Sequence, residues 1–187
     1  IVDYHALPQN LINALIAMED NRFYDHKGID TYGIMRAMKT NIEAGTIKQG
    51  GSTVTQQLAK LLFTDRQRNL ERKLIEMWLT LQIEKRYTKQ EILEKYLNRI
   101  YFGHGVFGVE EASQFFFGKS VNDISVAEAA ILVAIPPRPK SYSPFREKSQ
   151  SKSKQEIVLN KMQKLGFVTP KEIKLSPKNL QFIKDNV

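Results

Sequence analysis

Apolar side chains along this chain recur every three or four residues, not every second one, so the pattern predicts helices. Leu11, Ile12, Ala14, Leu15, Ile16 and Met18 line a wide face of a first helix. Tyr32, Ile34, Met35, Met38 and Ile42 form an oily helix interrupted by Arg36 and Lys39. From Leu70 to Ile83, the residues Leu74, Ile75, Met77, Trp78, Leu79 and Leu81 leave so little polar face that the segment reads as a helix buried mid-domain. Three helix starts carry a capping box: Thr88 with Glu91, Ser125 with Glu128, and Thr169 with Glu172, the last with Pro170 at the first helical position. Pro136 to Pro144 reads as an extended surface loop, and short amphipathic helices follow from Gln155 to Leu165 and from Thr169 onward. Strand signals are weak and no internal repeat is visible. The expected fold is mainly α.

Composition narrows the picture only partly. A chain of 187 residues, 42% hydrophobic, is long enough for a single domain spanning 1–187 that buries roughly 70% of its unfolded surface. Lys and Arg outnumber Asp and Glu by 28 to 20, a net charge of +8, which favours an anionic partner: nucleic acid, acidic lipid or a phosphorylated substrate. Without cysteine there is no disulfide and no thiolate metal site, which leaves the redox compartment open. No run of 18 or more apolar residues and no signal peptide is present, and the chain starts abruptly at Ile1, so it reads as a domain cut from a longer protein.

Three stretches carry candidate chemistry. Glu19 follows Leu15 by four residues and Ile12 by seven, which puts a carboxylate on the apolar stripe of the first helix; Asp20, turned by about 100°, shares that stripe less fully. A carboxylate there needs a partner or has a raised pKa, and a raised pKa suits a general base. The bland alternative is an acidic pair making local hydrogen bonds at a helix end. Next, Gly50-Gly51 frees the backbone before a helix opening near Ser52 or Thr53. Thr53, Gln57 and Lys60 then share a face opposite Leu58, Leu61 and Leu62; exposed amide donors and a lysine suit phosphate oxygens, although an ordinary capped helix would look the same. Finally, Arg72, Lys73 and Glu76 fall within one helical turn or so, where a buried Glu76 needs one of the cations as partner, as a structural ion pair would too. Lys60, Arg66, Arg68, Arg72 and Lys73 lie between the two glutamates in sequence and would stabilise a phosphate leaving group.

Taken in order, these stretches resemble the peptidoglycan glycosyltransferase domain of class A penicillin-binding proteins and of monofunctional transglycosylases. The resemblance rests on Glu19-Asp-x-x-Phe23-x-x-His26-x-Gly28, then Gly50-x-Ser52-Thr53-x-Thr55-Gln56-Gln57-x-x-Lys60, then Arg72-Lys73-x-x-Glu76, then Tyr96-Leu97-Asn98 with Gly103. Gly105 to Glu110, Phe117-Gly118-Lys119 and the Ala129 to Pro144 stretch continue it, so the pattern runs through nearly the whole chain. Two departures stand out: Thr80 occupies a place usually held by alanine, and the Pro-rich segment has an unusual form, IPPRPKSYSP.

The resemblance implies a lysozyme-like helical lobe with a small membrane-facing lobe, placed here at about 29–47. It implies a processive, inverting transfer of disaccharide-pentapeptide units from lipid II to a growing glycan, with release of undecaprenyl diphosphate. Glu19 would take the proton from the acceptor 4-hydroxyl, and Glu76 would assist at the donor side with Lys60, Arg68 and Lys73. Ser52, Gln57 and Arg72 would line the donor cleft, and Asp20 would support the base. A phosphoglycolipid such as moenomycin would compete for the basic groups. His26 is read as a hydrogen-bonding scaffold, and no metal ligand is assigned, though Mg²⁺ or Mn²⁺ near Glu76 would suit the diphosphate. The expected setting is the outer face of the cell membrane, with an N-terminal anchor and a transpeptidase domain elsewhere in the full chain, and no nucleic-acid partner. The rivals are a lysozyme-like enzyme that cleaves glycan and a non-catalytic basic module for nucleic acid or a membrane surface.

Overall fold

The computed structural model describes residues 1–46, 50–63 and 70–175. Five helices come first: α1 (Gln9–Glu19), α2 (Thr31–Ala44), α3 (Val54–Leu62), α4 (Leu70–Arg86) and α5 (Lys89–Leu97). A small antiparallel hairpin of β1 (Tyr101–Gly103) and β2 (Val106–Phe107) follows, pairing Tyr101 with Phe107 and Gly103 with Val106. Then come α6 (Val109–Phe117), α7 (Val126–Ala134), α8 (Pro139–Tyr142), α9 (Lys148–Lys164) and α10 (Pro170–Leu175). The mainly α expectation holds, and all three capping boxes form as read.

The chain folds into two compact units, one of Ile1–Met18 with Leu97–Val187 and one of Glu19–Tyr96. The first unit is organised around α7, which packs against α6, α9 and α10. Every residue of α7 from Ala127 to Ala134 is buried, and its four alanines let neighbouring helices approach closely. Glu128 is only 5% exposed, yet it caps Ser125 and pairs with Lys119 at 2.8 Å. Two segments here differ from the sequence reading. The Pro-rich stretch is not wholly extended, because Pro139 opens the single helical turn α8 from a position where its missing N–H costs nothing. Helix α9 starts at Lys148, ahead of Gln155. Its first turns bury little but Ser151, so no apolar period marks them in the sequence.

In the second unit α3 packs on α4, and Phe23, Val54, Leu58, Ala59, Ile83, Ile92, Leu93 and Tyr96 are all buried. The helix expected to be central, α4, is not: Leu74, Trp78 and Leu81 are 67%, 59% and 49% exposed. A run with little polar face fits a helix presenting an oily side outward as well as a buried one, and α7 takes the buried role. Likewise Leu61 and Leu62, read as the apolar side of α3, are exposed, whereas Thr53, read as part of the polar side, is buried as the N-cap. Helix α2 exposes Tyr32, Met35, Met38 and Ile42 and buries only Ala37. No helix among the described residues is long and apolar enough to cross a membrane.

Candidate active site

Glu19 is the last residue of α1 and is half-buried. Its Oε2 accepts a 2.8 Å hydrogen bond from Nε2 of Gln57 on α3, and Oε1 of Gln57 accepts one of the same length from the Tyr96 hydroxyl on α5. Burial first, and then the charge of Glu19, raise the Tyr96 phenol far above its ordinary range, so it stays a neutral donor.

Asp20 is the more buried of the acidic pair, at 6% exposure. Helical rotation does not set its exposure, because α1 ends at Glu19 and Asp20 already lies outside the helix. Both of its oxygens lie 3.0 Å from Nε2 of His26, and Oδ2 also accepts the Val54 N–H at 3.0 Å. The Gly28 N–H donates to Nδ1 of His26 at 3.1 Å, which leaves Nε2 to carry the ring proton toward Asp20. His26 is therefore the hydrogen-bonding scaffold its sequence context implied. The neighbouring Thr53 hydroxyl donates to the Gly28 carbonyl at 2.6 Å, closing the loop onto the start of α3.

The start of α3 is capped both by its own residues and by Asp20. Thr53 and Gln56 form a capping box, and Asp20 takes the Val54 N–H. Of the backbone donors expected there for phosphate, those of Thr53, Val54 and Gln56 are thus already engaged. Ser52 and Lys60 are exposed, one just before the cap and the other in the last turn of α3.

On α4 the predicted ion-pair cluster forms. Arg72 Nε lies 2.8 Å from Glu76 Oε1 and Lys73 Nζ lies 3.2 Å from Oε2, with Glu76 buried and Lys73 largely exposed. Burial pushes the Glu76 carboxyl up, but the hydrogen bonds and charges of Arg72 and Lys73 together outweigh it and hold the group below the usual carboxylate range. Arg68 and Arg66, expected to join these cations, lie outside the described residues. Among the described residues no group of three or more His, Asp or Glu could hold a metal ion, and both Glu76 oxygens face cations. Glu76 as it stands, with a cation on each oxygen, does not fit a divalent ion.

The sequence reading missed two supports. Tyr96 stood in a motif without a role, and its place beneath Gln57 emerges only once α5 meets α3. Glu84 on α4 accepts from Thr55 and from Lys89, whose ammonium also sits 4.5 Å from the centre of the Phe23 ring. Thr80, the departure from the usual alanine, is fully buried and donates to the Glu76 carbonyl at 2.7 Å, so its hydroxyl is absorbed within the helix.

A half-buried carboxylate held by an amide, Glu19, and a carboxylate clamped by two cations, Glu76, thus belong to the same compact unit. The family model described as Transglycosylase matches residues 1–163, and the chain belongs to that family. It is 46% identical over 171 residues to penicillin-binding protein 1A of Aquifex aeolicus, covering 91% of this chain and 24% of that protein. It is 42% identical over 178 residues to penicillin-binding protein 4 of Bacillus subtilis, covering 95% and 28%, and 39% identical over 166 residues to penicillin-binding protein 1A of Escherichia coli, covering 89% and 20%. The crystal structure of penicillin-binding protein 1A from Haemophilus influenzae aligns with a TM-score of 0.48 at 28% identity, over 68% of this chain and 16% of that one. The chain thus spans about a quarter of the length of the curated relatives it matches.

Proposed function

We propose that this chain is a peptidoglycan glycosyltransferase that polymerises lipid II. The observation that carries the reading is the division of labour between Glu19, held by a neutral amide, and Glu76, held by two cations. Glu19 takes the proton of the acceptor 4-hydroxyl, and that oxygen attacks the anomeric carbon of the donor with inversion. The bond from that carbon to the diphosphate oxygen breaks, and undecaprenyl diphosphate leaves with the electron pair. Lys60, Arg68, Arg72 and Lys73 neutralise the charge it acquires, with Ser52 and Gln57 lining the donor side and Glu76 orienting Arg72 and Lys73.

A glycan-cleaving enzyme is the less suited alternative. Its leaving group is a sugar hydroxyl, which calls for a protonated acid, whereas Glu76 is held ionised by its neighbours. The exposed apolar face of α2, with Arg36 and Lys39 beside it, supports contact with the outer face of a membrane carrying the lipid substrate. The names of the relatives support a penicillin-binding transpeptidase domain elsewhere in the polypeptide. Incubation with labelled lipid II, followed by gel separation, tests the reading. Polymer supports it, whereas shortening of added glycan, or no reaction, favours the hydrolase or the non-catalytic module.

A further inference from the structure

We infer that Tyr96 is a positioning residue: its hydroxyl anchors the Gln57 amide that bonds Glu19 and thereby helps to hold the base. This rests on the reading of Glu19 as the base. A primary amide has a donor end and an acceptor end of nearly the same shape, so packing alone does not choose between its two orientations. An ionised carboxylate only accepts, so Glu19 needs the NH₂ end. With Nε2 drawn to Glu19 at 2.8 Å, Oε1 of Gln57 points the other way, where it accepts the Tyr96 O–H at 2.8 Å.

The phenol suits this task. It is 2% exposed, and burial together with the nearby Glu19 charge keeps its proton in place, so it does not compete as an anion. The three side chains come from the end of α1, from α3 and from α5, so two hydrogen bonds tie three separate elements to one carboxylate oxygen. Without the hydroxyl, Oε1 of Gln57 loses its donor, and the amide is anchored through its Glu19 bond alone. The side chain of Gln57 then has more freedom, and the base carboxylate is positioned less firmly through it.

The test is Tyr96→Phe, which keeps the ring and removes only the oxygen, assayed on lipid II with wild type alongside. The expected result is a fall in kcat of about 3- to 10-fold, the worth of one hydrogen bond, with KM unchanged. In a Gln57→Ala background the same substitution should add no further loss, because the group through which Tyr96 acts is gone. Wild-type kcat in Tyr96→Phe, a change in KM alone, or losses that multiply in the double variant would overturn the inference while leaving the polymerase reading intact. Absence of polymer from wild type overturns the polymerase reading itself. If Tyr96→Phe does not fold, NMR on unaltered protein decides. The Gln57 side-chain amide signals, assigned by their loss in Gln57→Ala, should show one proton shifted downfield and slow to exchange. Two signals typical of a solvated amide would overturn the relay.

Discussion

Asp20 accepts the backbone N–H of Val54 at 3.0 Å, so the residue next to the candidate base also caps the helix that carries Gln57. The candidate base and the helix bearing the amide that holds it therefore share one carboxylate as a neighbour. Asp20→Ala leaves the Val54 N–H and the His26 Nε2–H buried without an acceptor, and should destabilise the protein by about 2–4 kcal/mol. Urea denaturation measures this; a loss under about 0.5 kcal/mol would mean that other groups already serve those donors.

Gly28 has φ +95°, and a Cβ there would sit 2.9 Å from both Glu84 Cγ and Thr80 Cγ2. Gly28→Ala adds backbone strain to overpacking and should lower stability by about 2–4 kcal/mol, read from the denaturation midpoint. A near-neutral substitution would show that the loop from Asp20 to Gly28 can shift away from α4.

The Glu76 cluster makes stability depend on pH in a definite direction. The folded carboxyl lies below its ordinary value of 4.5, so the unfolded chain binds the proton more readily. The stabilisation is fully present above about pH 4.5 and disappears as pH falls through the lowered folded value. The advantage of wild type over Glu76→Gln in urea should therefore be constant near neutrality and shrink in acid. An advantage independent of pH would show that the carboxylate charge contributes nothing. Arg72, only 22% exposed, should matter more than Lys73 at 52%, whose share water and salt screen. Arg72→Ala should cost about 2 kcal/mol and Lys73→Ala under 1 kcal/mol, to order of magnitude.

Met35 and Met38 are each 58% exposed on α2, so they are not part of a packed core. Replacing both with Ser should leave Tm almost unchanged while weakening binding to anionic vesicles and activity on membrane-embedded lipid II. Salt should weaken the wild-type binding without abolishing it, because only the attraction to Arg36 and Lys39 is screened. Vesicle flotation at two ionic strengths measures both effects; wild-type flotation by the double variant would place the membrane contact elsewhere.

Local signals in the sequence proved readable where the interaction is local. The capping boxes and the Arg72–Lys73–Glu76 cluster span three or four residues, and helical geometry alone brings those groups together. Long-range relationships were not readable: the bond from Gln57 to Glu19 crosses 38 residues and that from Tyr96 to Gln57 crosses 39. Burial also misled where one pattern serves two ends, since an oily α4 faces outward while the alanine-rich α7 is buried. Asp20 shows a third limit, because helical rotation stops predicting exposure once the helix has ended at Glu19.

The proposed polymerisation depends most directly on Glu19 acting as the base. Glu19→Gln keeps the side-chain shape while removing the capacity to take a proton, and general-base contributions are about 10²- to 10⁴-fold. Turnover of lipid II by this variant, set against wild type of equal Tm, should fall by at least about 100-fold. Retention of more than about a tenth of wild-type turnover would show that the acceptor proton goes to another group and would contradict the mechanism.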